Sequence, residues 1–222
     1  MTPRDLLRLA QLSDSAFPSG GFAFSGGLEV LAHEGALRTA ADVEALIAEQ
    51  MLPRWLSFDR WFLAEACAAP DADALAALDA ECEARSLCAP LAEASRRMGR
   101  ATLASVARLG VAEAAAFEAR TKAGAAFGHL PVVQGLVARA VAMPVAAAEA
   151  AAVHALLMGA LSAAVRLGRI GALTAQTALG RLGDCAAEGL AAPPPAAPAA
   201  FAPLAEIAAA RRARLPVALF AA

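Results

Sequence analysis

The sequence predicts an all-α fold, a single compact domain of roughly eight to ten helices with a Pro-rich linker and a C-terminal tail. Three observations carry that prediction. Ala supplies about 30% of the 222 residues, and it is the strongest helix former and a poor strand former. Tyr is absent, Phe numbers 9 and Trp 2, and β-branched residues are sparse, which argues against a sandwich or barrel. The hydrophobic fraction is 59% with 18% charged residues, which is not a disordered composition.

The elements follow in order. Residues 3–12 place Leu6, Leu7, Leu9 and Leu12 on one broad helical face. Ser13 to Gly21, with Pro18, Gly20 and Gly21, reads as a loop. A helix is expected from Phe22 to Glu34, stopped by Gly35. Thr39 and Asp42 form a capping box for a helix that continues to Cys67, kinked or broken at Pro53. Asp71 opens an acidic helix and Pro90 a basic one closed by Gly110. Residues 111–123 form a further helix before a Gly-rich joint at 124–128. Pro131 opens a helix to Val141, and Pro144 opens the most apolar helix, ending near Arg166. Thr174 to Ala187 is helical, Ala191–Ala200 is a stiff Pro-rich linker, and 201–210 is a short helix before a basic, then apolar, tail. Residues 1–190 thus form the helical domain, and 191–222 the linker, short helix and tail of that same domain.

Charge and cysteines exclude several classes. A net charge of −2 gives no global field for nucleic acid. Cys67, Cys82, Cys88 and Cys185 lack zinc-site spacing, and reduced thiols in a cytoplasm fit them. Met1-Thr2-Pro3-Arg4-Asp5 runs into a mixed stretch that reads as no targeting signal. The uncharged run Ala150–Val165 is shorter than a membrane span and reads as a buried core helix. Cytoplasmic location, with no membrane, is the expectation.

Ser25, Glu29 and His33 recur at i, i+4 and i+8 and would form one polar stripe, with Phe24, Leu28 and Leu31 facing the core. That stripe admits a solvated Glu–His pair, a partner contact, a Ser–His catalytic pair or a Glu–His metal site. No third catalytic group stands nearby in sequence. Ser19-Gly20-Gly21 lacks the lysine and preceding strand of a phosphate loop. His129 is expected as a neutral histidine at a helix start, and His154 as a core histidine. Arg166 and Arg169 end the apolar helix, complementing its dipole or offering charge to an acidic partner. Arg211, Arg212 and Arg214 precede Leu215–Phe220, a segment either disordered or docked. No catalytic constellation emerges, which favours a partner-binding protein.

Several motifs together carry a resemblance. Leu6 to Glu29, including Ser15-Ala16-Phe17-Pro18-Ser19-Gly20-Gly21-Phe22-Ala23-Phe24-Ser25-Gly26-Gly27-Leu28-Glu29, resembles the opening signature of the urease accessory protein UreF family. Ser95-Arg96-Arg97-Met98-Gly99 resembles its Ser-x-x-Met-Gly, and His129-Leu130-Pro131-Val132-Val133-Gln134-Gly135 its His-x-Pro-Val-x-x-Gly. Ser162–Gly168 and Phe201–Phe220 resemble the end of its apolar helix and its tail. The resemblance implies an all-helical, non-enzymatic adaptor that bridges UreD (also called UreH) and the GTPase UreG on apo-urease and couples GTP-dependent steps to nickel insertion. It implies a homodimer and no tightly bound cofactor, with nickel as cargo in transit. Glu29 falls on the family's Glu and Arg166 on its basic residue, so both are expected to face the GTPase, with His33 and Arg169 beside them. Arg211, Arg212, Leu219 and Phe220 are expected on the UreD side, and Pro18, Gly20, Gly21, Phe24 and Ser25 form the motif loop. The sequence departs from the family at Phe24 (usually Tyr), Pro90 and Ala92, Ala172 and Ala218 (usually Arg). Two rival readings are a small helical hydrolase using Ser25 or Ser19 with His33, and an unrelated helical scaffold.

Overall fold

The computed structural model describes residues 2–221. Met1, the first residue of the N-terminal stretch read above, and Ala222 lie outside them. The helices are α1 Pro3–Ser13, α2 Leu28–His33, α3 Ala40–Leu46, α4 Leu52–Arg54, α5 Arg60–Ala68, α6 Ala72–Arg85, α7 Ala89–Arg108, α8 Ala112–Lys122, α9 Leu130–Ala140, α10 Val145–Arg166, α11 Ala172–Ala191 and α12 Pro203–Arg211. Two π-helical turns, Ile47–Met51 and Trp55–Asp59, join α3, α4 and α5 into one continuous rod. The all-α expectation is therefore correct, with ten helices and no strand among the described residues when that rod is counted once.

Local sequence explains most boundaries. Thr39 Oγ1 accepts the Asp42 N–H at 3.2 Å, and Asp42 accepts the Thr39 N–H at 2.8 Å, which completes the capping box at α3. Those backbone donors, from Arg38 first and then Thr39, hold the Asp42 carboxyl below its ordinary range. Asp71 caps α6 by accepting the N–H groups of Asp73 and Ala74. Pro53 does not end the helical run, which passes through it in α4 between the two π-turns.

Two apolar clusters form the core. One joins α2, α3, α10 and α11 through Leu28, Val43, Ile47 and Leu157. The other joins α5 to α9 through Phe58, Phe62, Phe117, Val132 and Leu136, with the Phe58 and Phe62 rings edge to face at 5.0 Å. α5 and α9 approach so closely that a Cβ on Gly135 would lie 2.4 Å from the Leu63 carbonyl oxygen. A buried ion pair crosses the bundle: Arg60 Nε donates to Glu149 at 2.8 Å. The same guanidinium donates to the carbonyls of Gly189 and Leu190, at the C-terminus of α11. The Pro-rich linker after α11 is anchored, since Ala199 exchanges hydrogen bonds with Ser57 on the rod at 2.9 and 2.7 Å.

Three expectations are corrected. The helix foreseen from Phe22 to Glu34 is a 3₁₀ turn, Gly21–Ala23, followed by an extended break and the short α2. Gly26 and Gly27 cause the break with φ of +58° and +93°. His154 is exposed rather than in the core, because it lies on the outer face of α10. Leu6 and Leu7 are exposed, so only part of the leucine face of α1 is covered. α10 itself is a 22-residue helix, longer than the run seen in sequence, and by length and composition alone it reaches the range of a membrane span. One of its faces packs in the core through Ala152, Val153, Leu157 and Leu161, while less than half of its apolar window is buried.

Candidate functional site

The motif loop and the C-terminal tail meet at one end of α10. Gly20, in the left-handed region at φ +73°, turns the chain into the Gly21–Ala23 turn. That turn pushes Phe22 outward and swings Phe24 inward, where its ring packs 5.3 Å from the Arg97 guanidinium. The Pro18 carbonyl lies 3.1 Å from the Ser105 hydroxyl of α7. Ser25 is buried and its Oγ accepts the Glu29 N–H at 3.4 Å. A Cβ on Gly27 would lie 2.7 Å from the Ala205 carbonyl oxygen, so α12 closes directly over the loop.

The tail returns across this surface. Glu29 is 5% exposed, not part of a solvated stripe, and its Oε1 accepts the Leu219 N–H. Its Oε2 is buried with no hydrogen-bond partner among the described residues. The Ala221 N–H donates to the Ala23 carbonyl at 2.7 Å, and Arg212 donates to the Phe220 carbonyl. Phe220 is buried, with its ring centroid 4.1 Å from the Arg166 guanidinium carbon. Arg166 also lies 3.6 Å from the Phe22 ring centroid and donates to the Phe22 carbonyl at 2.6 Å. Burial lowers the pKa of Arg166, which remains a cation with no carboxylate partner among the described residues.

The residues singled out from sequence are thus regrouped. Glu29 and Arg166, expected on one partner face, and Arg212, Leu219 and Phe220, expected on another, form one contiguous junction. His33 and Arg169 are exposed outside it. Arg211 forms an exposed pair with Glu34 at 3.6 Å. The Ser25–Glu29–His33 stripe is not formed, because the glycine break takes Ser25 off the helix that carries the other two. The Ser19 hydroxyl accepts the Gly21 N–H and the Ser25 hydroxyl the Glu29 N–H, so neither serine is paired with His33. No group of three or more His, Cys, Asp or Glu side chains among the described residues is placed to hold a metal ion.

The two internal motifs join each other, which sequence reasoning did not foresee. His129, expected as a neutral histidine at a helix start, is fully buried, and its ring partners are distant in sequence. Its Nδ1 lies 3.2 Å from Ser95 Oγ and its Nε2 2.6 Å from Glu83 Oε2. The Glu83 carboxylate accepts the Nε2–H, which leaves Nδ1 to accept from the Ser95 hydroxyl, itself the acceptor of the Leu130 N–H. Burial lowers the pKa of His129 against the pull of Glu83 and Asp79, which keeps the ring neutral. Burial opposes ionisation of Glu83, but hydrogen bonds from Arg96 and His129 hold its carboxyl below the ordinary value. Asp79, fully buried, accepts the N–H groups of Phe127, Gly128 and His129 at 2.6 to 2.8 Å. A Cβ on Gly99 would lie 2.1 Å from the Gly128 carbonyl oxygen. These contacts lock α6, α7 and α9 together behind the loop. Nothing separates Asp79 in sequence from its solvated neighbours Asp73 and Glu81, so its role had no local signal.

Comparison with known proteins agrees with the motifs. The UreF family model matches residues 37–183. A urease accessory protein UreF of Cereibacter sphaeroides is 37% identical over 150 residues, covering 68% of this chain and 65% of the relative. Its counterpart in Paenarthrobacter aurescens is 32% identical over 148 residues, 62% of this chain and 61% of the relative. One from Actinobacillus pleuropneumoniae is 33% identical over 94 residues, 41% of each. The matched part spans less than two thirds of the length of these relatives.

Proposed function

The chain belongs to the urease accessory protein UreF family, and we propose that it acts as a non-enzymatic adaptor in urease maturation. It bridges UreD and the GTPase UreG on apo-urease and couples GTP-dependent steps to nickel insertion. Nickel is cargo in this reading, not a resident cofactor. The adaptor acts in the cytoplasm as a homodimer.

The observation that carries the reading is the junction at Arg166. One cation, with no carboxylate partner among the described residues, gathers the motif loop through Phe22 and the tail through Phe220. A surface made from segments more than 140 residues apart (Arg166 and Phe22 are separated by 144) senses the placement of both. That is a property suited to reading the state of assembled partners rather than to turning over a substrate. The serines and histidine of the hydrolase reading stay apart, which removes its motivation.

The test is capture of purified UreD and UreG by the tagged full-length chain. We expect both to be retained together, and Arg166→Ala to lower UreG recovery while its helical CD signal is unchanged. A chain that retains neither protein overturns the reading.

A further inference from the structure

Ser95, on α7, differs from other serines of the described residues in what its hydroxyl meets. Ser57, Ser86 and Ser105 donate to backbone carbonyls at 2.7 to 3.1 Å. Ser95 Oγ instead lies 3.2 Å from His129 Nδ1, and His129 Nε2 lies 2.6 Å from the Glu83 carboxylate. Because the Nε2–H goes to Glu83, Nδ1 carries the lone pair that the Ser95 proton meets. A nucleophile, a base within hydrogen-bond reach and a third group that orients the base are the parts of an activated serine. The third group is itself fixed, since Arg96 Nη1 donates to both Glu83 oxygens at 2.7 and 2.6 Å.

This relay opens on space. His129 is fully buried, but Ser95 is only half-buried. With Met98 and Thr102 of α7 and Leu130 and Gln134 of α9, it lines a cleft of about 340 Å³, the small end of the range for ligand pockets. Ser95 Oγ lies 3.1 Å from the Leu130 nitrogen, in the first turn of the 11-residue α9, whose positive end favours negative charge developing there. Thr102 stands about two turns along α7 from Ser95, on the same face. It is 7% exposed, and its hydroxyl is buried with no hydrogen-bond partner among the described residues. Buried hydroxyls are ordinarily satisfied, so the cleft keeps a donor for a guest.

We propose that Ser95 is an acylation site, which takes a short apolar acyl group from a donor whose leaving group departs as an anion. His129 Nδ1 takes the Ser95 proton as Oγ forms its bond to the acyl carbon. The bond from that carbon to the leaving group breaks, and the leaving group carries off the electron pair. The proton passes to solvent along Glu83, whose side chain is 30% exposed. The net products are the Ser95 ester, the leaving anion and one proton. Glu83 is a positioning residue: it sets the tautomer and steadies the imidazolium. The fully buried ring offers no face to an attacking water, so each chain accepts one acyl group and the reaction modifies the adaptor without turnover.

The test incubates the full-length chain with p-nitrophenyl acetate and maps acetyl groups by mass spectrometry. We expect a single equivalent of p-nitrophenolate and an acetyl group on Ser95. Ser95→Ala should lose that acetyl group. Glu83→Gln, with unchanged helical CD, should acetylate Ser95 about a hundredfold more slowly. In urea, where the relay is dispersed, Ser95 should stay unmodified. Acetylation of the native chain confined to its amino terminus and Lys122, its single lysine, overturns the proposal whether or not either variant folds. So does Ser95 acetylation at the native rate in urea or in Glu83→Gln, which makes the relay a structural tie alone. Continued release of p-nitrophenolate beyond one equivalent overturns it as well. None of these readouts involves UreD or UreG, so the proposal stands or falls apart from the adaptor reading.

Discussion

The backbone N–H of Leu219 donates to the carboxylate of Glu29, across a sequence separation of 190 residues. The tail of the chain is therefore built into the surface formed by its opening motif. Glu29→Gln keeps an acceptor for that N–H and should keep the tail docked. Glu29→Ala removes it, and the amides of Leu219 and Ala221 should then lose hydrogen-exchange protection while the core helices keep theirs.

Phe220→Ala tests the other anchor. Its buried ring holds the tail against Arg166, so truncation should free residues 215–221 locally. Exchange mass spectrometry should show a fully exchanging tail, and the far-ultraviolet CD should change little.

Close backbone approach demands glycine at Gly99, whereas Gly180 stands in open space. Gly99→Ala places a Cβ 2.1 Å from the Gly128 carbonyl oxygen. It should destabilise by about 1–3 kcal/mol in denaturant titration, net of the helix gain. Gly180→Ala in α11 meets nothing within 4 Å and should instead stabilise, by up to about 1 kcal/mol.

Glu149→Ala leaves the Arg60 guanidinium buried without its carboxylate. The expected cost is about 3–5 kcal/mol in the same titration.

The three-helix lock predicts a pH dependence. Burial depresses the folded-state pKa of His129, so between that value and the unfolded value of 6.5 the unfolded chain binds the extra proton. The stability His129 contributes is complete above 6.5 and is lost as pH falls below it. The charged groups facing the ring are Glu83, Asp79 and Arg96. The thermal midpoint should therefore drop from pH 7.5 to 5.5, and His129→Gln, though less stable at neutral pH, should show a flatter slope across that window.

Much of the fold was legible because helix signals here are local. The capping pair Thr39 and Asp42, the Pro residues that open α7, α9 and α10, and the Ala-rich apolar phases each act over one or two turns. What sequence missed depends on contacts between distant segments. The Gly26-Gly27 pair, read as part of a helix, adopts positive φ, where α12 crosses Gly27. His154 carries the same apolar neighbours whether its face of α10 is covered or open. Asp79 and the Arg60–Glu149 pair look like ordinary surface charges until the helices are placed. The site residues were named individually from motif resemblance, but their convergence at Arg166 required the tail to fold back over nearly the whole length of the chain.

Urease activation in cells lacking the endogenous gene tests the adaptor role most directly. The full-length chain, expressed with its cognate UreD, UreG and urease subunits, should restore urease activity and nickel content of the purified urease. Arg166→Ala, with native CD, should restore little of either. Full activation without this chain, or none with it while it is folded and expressed, would contradict the account.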